Sequence, residues 1–176
     1  MANNFKLLLI IGGALIGAAF ILFILSNALS SWSETENDFG NITYGLWRWC
    51  NSTVDDTTCT DVSCPSEDFP SSFCNKILAA RAFITLACIL SGFCGTLSVI
   101  YCAISGERSA RPLILTKKCL AVACLIMGII AIAIGISATM TAQNGIKLRL
   151  GVAAILGIVG VGINLIGTVI ILLVKP

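Results

Sequence analysis

Four long apolar runs dominate this chain, and each needs a solvent other than water. The first extends from Leu7 to Leu25 without a charge. The others cover residues 78–104, 119–140 and 150–174, and their only charged residue is Arg81, near one end of the second run. A helix needs about 20 mostly apolar residues to cross the hydrocarbon core of a bilayer. Signal-peptide cores run to about 15 residues, so the first run reads as a retained span despite the cleavage-like Ala28-Leu29-Ser30. Charged residues make up 11% of the chain, against roughly 25% in soluble domains, too few to cover a water-facing surface. We therefore expect spans at 7–27, 78–104, 119–140 and 150–174, with short ends at 1–6 and 175–176.

Between the first two spans lies the only long polar segment, residues 28–77. It holds eight of the nine acidic residues, opposed by Arg48 and Lys76, for a formal charge of −6. It also holds Cys50, Cys59, Cys64 and Cys74, a density that points to disulfides and an oxidising compartment. Two glycosylation sequons agree: Asn41-Ile42-Thr43 and Asn51-Ser52-Thr53. The segment is therefore expected outside the cell. The aromatic-rich stretch Tyr44 to Cys50 reads as a strand, and Asp55-Asp56-Thr57-Thr58 as a turn. A hairpin closed by Cys50–Cys59 is the simplest geometry, with Cys64–Cys74 stapling the descent to the second span. Four cysteines allow three pairings, and the sequence alone leaves them open. Fifty residues bury too little apolar surface to stand alone, so the bridges are read as structural. Asp55, Asp56 and Asp61 are candidates for attracting cations.

Arg81 is expected at the membrane interface, facing acidic groups of the polar segment. Residues 105–118 carry Arg108, Arg111, Lys117 and Lys118 against Glu107. The positive-inside rule places this loop and both ends in the cytoplasm. Cys102 and Cys119 flank the loop and are candidates for palmitoylation. Residues 141–149 form a very short second outer connector. Gly13-x-x-x-Gly17, Gly92 with Gly95, and the glycines at 151, 157, 160, 162 and 167 suggest close helix approach. Asn164, near the middle of the last run, is expected to bond a neighbouring helix.

The pattern Trp32…Gly45-Leu46-Trp47-x-x-Cys50…Cys59 resembles the signature of the claudin family, shared more loosely with peripheral myelin protein and the epithelial membrane proteins. Leu78-Ala79-Ala80-Arg81-Ala82 resembles the claudin opening of the second span. Gly145-x-x-Leu148-x-Leu150-Gly151-x-Ala153-Ala154 resembles the opening of the fourth. The resemblance implies an all-α, left-handed four-helix transmembrane bundle with a small extracellular β-sheet. It implies one disulfide in that sheet, carried over to Cys50 and Cys59. It gives architectural roles to Trp32, Gly45, Leu46, Trp47, Cys50, Cys59 and Arg81. The short second connector, the extra cysteines Cys64 and Cys74, the two sequons and the ending Val174-Lys175-Pro176 depart from a typical vertebrate claudin. They fit a divergent member, such as an invertebrate one.

Membership would imply a structural protein of the plasma membrane at cell junctions. It would assemble side by side in the bilayer, meet a like protein on the opposing cell, and bound a paracellular barrier or a cation-preferring pore. The alternative within the same superfamily is an auxiliary subunit of an ion channel or receptor. An enzyme is not expected, because the chain has no histidine and no Cys-x-x-Cys pair. No cofactor, metal or nucleic-acid partner is called for. Enzymatic removal of N-glycans from the cell-expressed protein is expected to increase gel mobility. Asn41→Gln and Asn51→Gln should each abolish one step of that shift, and unchanged mobility would contradict the assigned membrane side.

Overall fold

The computed structural model describes residues 2–37, 40–53, 56–64, 71–103, 110–141 and 149–173, with side chains over 7–35, 40–53, 56–64, 71–100, 112–139 and 149–173. The chain is mostly helical, with helices α1 (Ala2–Ala28), α2 (Ser71–Ala103), α3 (Ala110–Thr141) and α4 (Val152–Leu173). Strands β1 (Ser33–Asn37), β2 (Gly40–Tyr44), β3 (Arg48–Ser52) and β4 (Thr57–Asp61) follow α1, and β5 (Arg149–Leu150) precedes α4.

All four helices are long and apolar enough to cross a membrane, with mean hydropathies of 2.8, 2.1, 2.9 and 2.5 over their apolar segments. The two shorter segments, of 22 residues each, extend about 33 Å at 1.5 Å per residue, which matches a hydrocarbon core of roughly 30 Å. Their outer surfaces are apolar: Ile21, Phe93, Leu115, Ile126 and Ile166 are each at least half exposed. A multi-pass membrane protein accounts for that surface, since lipid asks for no polar coat and each helix satisfies its own backbone.

The helices pack as a ring. α2 lies most extensively on α3, and α1 on α4, with α1–α2 and α3–α4 closing the circuit. Glycines set the α1–α4 spacing: a Cβ at Gly167 would stand 3.1 Å from the carbonyl oxygen of Gly12. Not every expected glycine contact occurs. Gly13 meets Ser98, whereas a Cβ on Gly17, Gly95 or Gly162 would meet nothing within 4 Å. Asn164 is fully buried and joins α4 to α3: its amide donates to Cys124 Sγ at 2.9 Å, and its Oδ1 accepts from Thr168 Oγ1 at 3.1 Å.

Three helices begin earlier than the apolar runs suggested, α1 at Ala2 rather than Leu7 and the next two by more. α2 starts at Ser71 rather than near Leu78 because Phe73, Cys74 and Ile77, at helical spacing, bury against the rest of the core. α3 starts at Ala110 rather than Cys119. Pro112 sits in its first turn, where a missing N–H costs nothing. Lys117 and Lys118 are thus helical. Lys117 is 3% exposed and donates to Leu9 O, and Lys118 donates to Leu172 O at the end of α4. The remaining loop around Arg108 lies outside the described residues.

The five strands form one antiparallel sheet in the order β4-β3-β2-β1-β5. The first four are successive hairpins, with Cys50 directly opposite Cys59 and Asn41 opposite Ser52. β5 closes the far edge by pairing Leu150 with Ser33 and Arg149 with Glu34. Gly151, just after it, passes against the main chain of Ser31, and a Cβ there would run into the Ser31 carbonyl oxygen. Gly151→Ala is expected to destabilise the protein by about 1–3 kcal/mol, because a backbone atom must move. Gly162→Ala faces open space and should leave the thermal midpoint in detergent unchanged. Equal midpoints for the two variants would contradict this packing.

Candidate functional site

The site is the seam where the sheet sits on the helix ends. Its first fastening is the linker Ser31-Trp32. Trp32 is fully buried, and its indole Nε1 donates to Ser26 O at 2.8 Å. That carbonyl lies in the last turn of α1, where no helical N–H remains to pair with it. The opposite end of α4 has spare N–H groups, and the same linker supplies their acceptors. Gly151 N donates to Trp32 O at 3.0 Å and Ala153 N to Ser31 O at 2.9 Å. Trp32 N then donates to Tyr44 O, carrying the register into β2. The indole ring lies flush on Gly135 of α3, where a Cβ would collide with it.

The second fastening is Arg81 on α2. Its Nε donates to Leu46 O at 2.7 Å and its Nη2 to Val62 O at 2.8 Å. The guanidinium also lies 4.7 Å from the centroid of the Trp47 ring, within cation–π range. Arg81 was expected to face acidic groups, but its bonds among the described residues go to backbone carbonyls. The reason is local. Gly45-Leu46-Trp47 is not strand but the turn joining β2 to β3, so Leu46 turns its carbonyl outward while its side chain fills the core. Val62, just past β4, is tied to the same turn by its N–H to Trp47 O at 2.8 Å. Arg81 therefore grips both ends of the β3–β4 hairpin at once.

Trp47 is 46% exposed, and its indole donates to Asn27 Oδ1 at 2.8 Å. Cys50 bonds Cys59 across β3 and β4, and Cys64 bonds Cys74 in the first turn of α2. The remaining cysteines with described side chains, Cys88, Cys94, Cys119 and Cys124, are free. Cys119 is exposed on α3, whereas the side chain of Cys102 lies outside the described residues.

The acidic candidates separate. Asp61 pairs with Arg48 at 2.8 Å, so its charge is balanced locally. Asp56 is exposed, and its carboxylate accepts the N–H of Thr57. Asp55 lies outside the described residues. The expected turn at Asp55–Thr58 sits earlier: Thr53 N donates to Asp56 O, and β4 already begins at Thr57. Asn41 is exposed on β2 and Asn51 half-buried on β3. Their places in the register put the two side chains on opposite faces of the sheet.

Sequence reasoning missed β1, β2, β5 and the carbonyl partners of Arg81. β1 reads Ser33-Glu34-Thr35-Glu36-Asn37, with no apolar residue to announce it. Its alternation is carried by Ser33 and Thr35, both buried. Compared with known proteins, the chain matches no family model and no curated protein.

Arg81→Lys keeps the charge but cannot fork to two carbonyls. It is expected to lower stability by about 1.5–3 kcal/mol, the worth of one charged hydrogen bond. The same variant should leave Trp47 without its stacked partner and shift its fluorescence. A thermal midpoint within error of wild type would contradict the two-carbonyl grip.

Proposed function

We propose that this is a claudin-like tetraspan protein of the plasma membrane, with the sheet outside the cell and both ends in the cytoplasm. It acts structurally at cell–cell contacts, assembling side by side with its own copies and bounding a cation-preferring paracellular path. One observation carries this reading. The seven residues of the claudin-like pattern, Trp32, Gly45, Leu46, Trp47, Cys50, Cys59 and Arg81, all fall in the seam between sheet and helices or on the hairpin it grips. Such a pattern serves to present a sheet rigidly, not to turn over a substrate.

Two features support a role in assembly. Among the described residues β4 is an unpaired edge of the sheet, and all five of its residues are exposed. An unpaired edge offers backbone donors and acceptors to another chain. The segment 28–77, which includes the sheet's first four strands, also has a formal charge of −6, and a surface of one sign concentrates counter-ions.

When expressing and non-expressing cells are mixed, the protein is expected to accumulate only where two expressing cells meet. In a monolayer, Asp55→Lys with Asp56→Lys should reverse the cation preference of the paracellular path. A uniform distribution over the cell surface would overturn homophilic contact and favour the auxiliary-subunit reading, in which a channel co-purifies at fixed ratio. Unchanged ion permeability ratios would overturn the charge assignment.

A further inference from the structure

A groove of about 550 Å³ opens beneath the β2–β3 turn, between α1 and α2. Ile24, Asn27 and Ala28 on the last turns of α1 form one wall and Cys88 of α2 the other, with Trp47 and Arg48 overhead. Its volume lies within the roughly 300–1,000 Å³ of small-molecule sites. The two helices close again one turn further down, where a Cβ on Gly92 would stand 3.3 Å from the Phe20 ring. The groove is thus a notch in the lipid-facing side of the bundle, apolar below and polar above.

The polar end has unused donors. Arg48 spends only its Nε, on Asp61, and among the described residues its two Nη groups bond nothing. Asn27 accepts from Trp47 through Oδ1, and among the described residues its Nδ2 donates to nothing. A guanidinium and an amide above an apolar slot match a phosphate above an acyl chain. The surroundings select the headgroup. Arg48 and Asp61 together are neutral, and both side chains are largely exposed. A zwitterionic headgroup matches both members of that pair, with phosphate on Arg48 and its cation toward the exposed Asp61, whereas an anionic one leaves Asp61 unmatched.

We infer that this groove binds one zwitterionic phospholipid of the phosphatidylcholine type, its phosphate on Arg48 and Asn27 and an acyl chain between Ile24 and Cys88. This role is separate from cell–cell contact and stands whichever way that question falls. The test uses the full chain, purified in dodecyl maltoside and offered equal phosphatidylcholine and phosphatidylglycerol, with bound lipid counted by native mass spectrometry. One retained phosphatidylcholine per chain is expected, displaced by dodecylphosphocholine but not by further maltoside. Arg48→Gln should weaken retention about tenfold. Ala28→Trp, which fills the slot from an exposed position, should remove it. Preference for phosphatidylglycerol, failure of dodecylphosphocholine to compete, or wild-type retention in Ala28→Trp would each overturn the assignment. Because Ala28→Trp leaves the Arg48–Asp61 pair untouched, it decides the matter even if Arg48→Gln does not fold.

Discussion

Backbone groups at helix ends must find partners when water is excluded, and two such ends meet here. The last carbonyls of α1 and the first N–H groups of α4 come together beneath the sheet. Ser31-Trp32 answers both: the Trp32 indole supplies the donor and the two main-chain carbonyls supply acceptors. Leaving such a group buried and unpaired costs about 1–3 kcal/mol each. The linker is therefore fixed by the helix ends themselves. Since Trp32 N also bonds Tyr44 O, the position of β2 follows from the same solution.

From that anchor the sheet can only be built in one register. β1 leaves the linker and β5 arrives beside it, so the helix ends and the sheet edge share atoms. The opposite side of the sheet is held by Arg81, which reaches 35 positions back to Leu46 and 19 back to Val62. Between these fastenings the two disulfides close the β3–β4 hairpin and tie its descent to α2. A polar segment of this size has little core of its own. It borrows one: Trp32, Leu46, Val62 and Phe73 belong to the same buried cluster as Phe23, Ile84 and Ala154 of the helices. Sheet and helices are thus one packed body, and a force on the exposed edge at β4 is felt by the bundle.

The sequence announces the parts governed by solvent. Uncharged runs as long as Leu7–Leu25 point to membrane helices, and Asn164 was readable because an amide in lipid must bond something. The cysteines marked the polar segment for disulfides. What it hides are the parts governed by partners distant in the chain. β1 is a strand because β2 and β5 lie on either side of it, not because Ser33 and Thr35 look like strand residues. The first two turns of α2 carry Asn75 and Lys76 and so read as loop, yet Phe73 and Ile77 fix them as helix from within. Arg81 was conspicuous as a charge, and the natural guess gave it carboxylate partners. Backbone carbonyls leave no trace in a sequence, and these two are exposed to it only because the Gly45–Trp47 segment turns.

The most direct measurement is hydrogen–deuterium exchange on the intact protein in lipid nanodiscs, comparing wild type with Arg81→Ala. If the sheet is held to the bundle by Arg81 on one side and Ser31-Trp32 on the other, the amides of β3 and β4 should lose protection in the variant. Those of β1, and of Gly151 and Ala153, should keep theirs. Unchanged exchange across 48–62, or loss of protection spread evenly over the helices, would contradict a sheet seated on two separate fastenings.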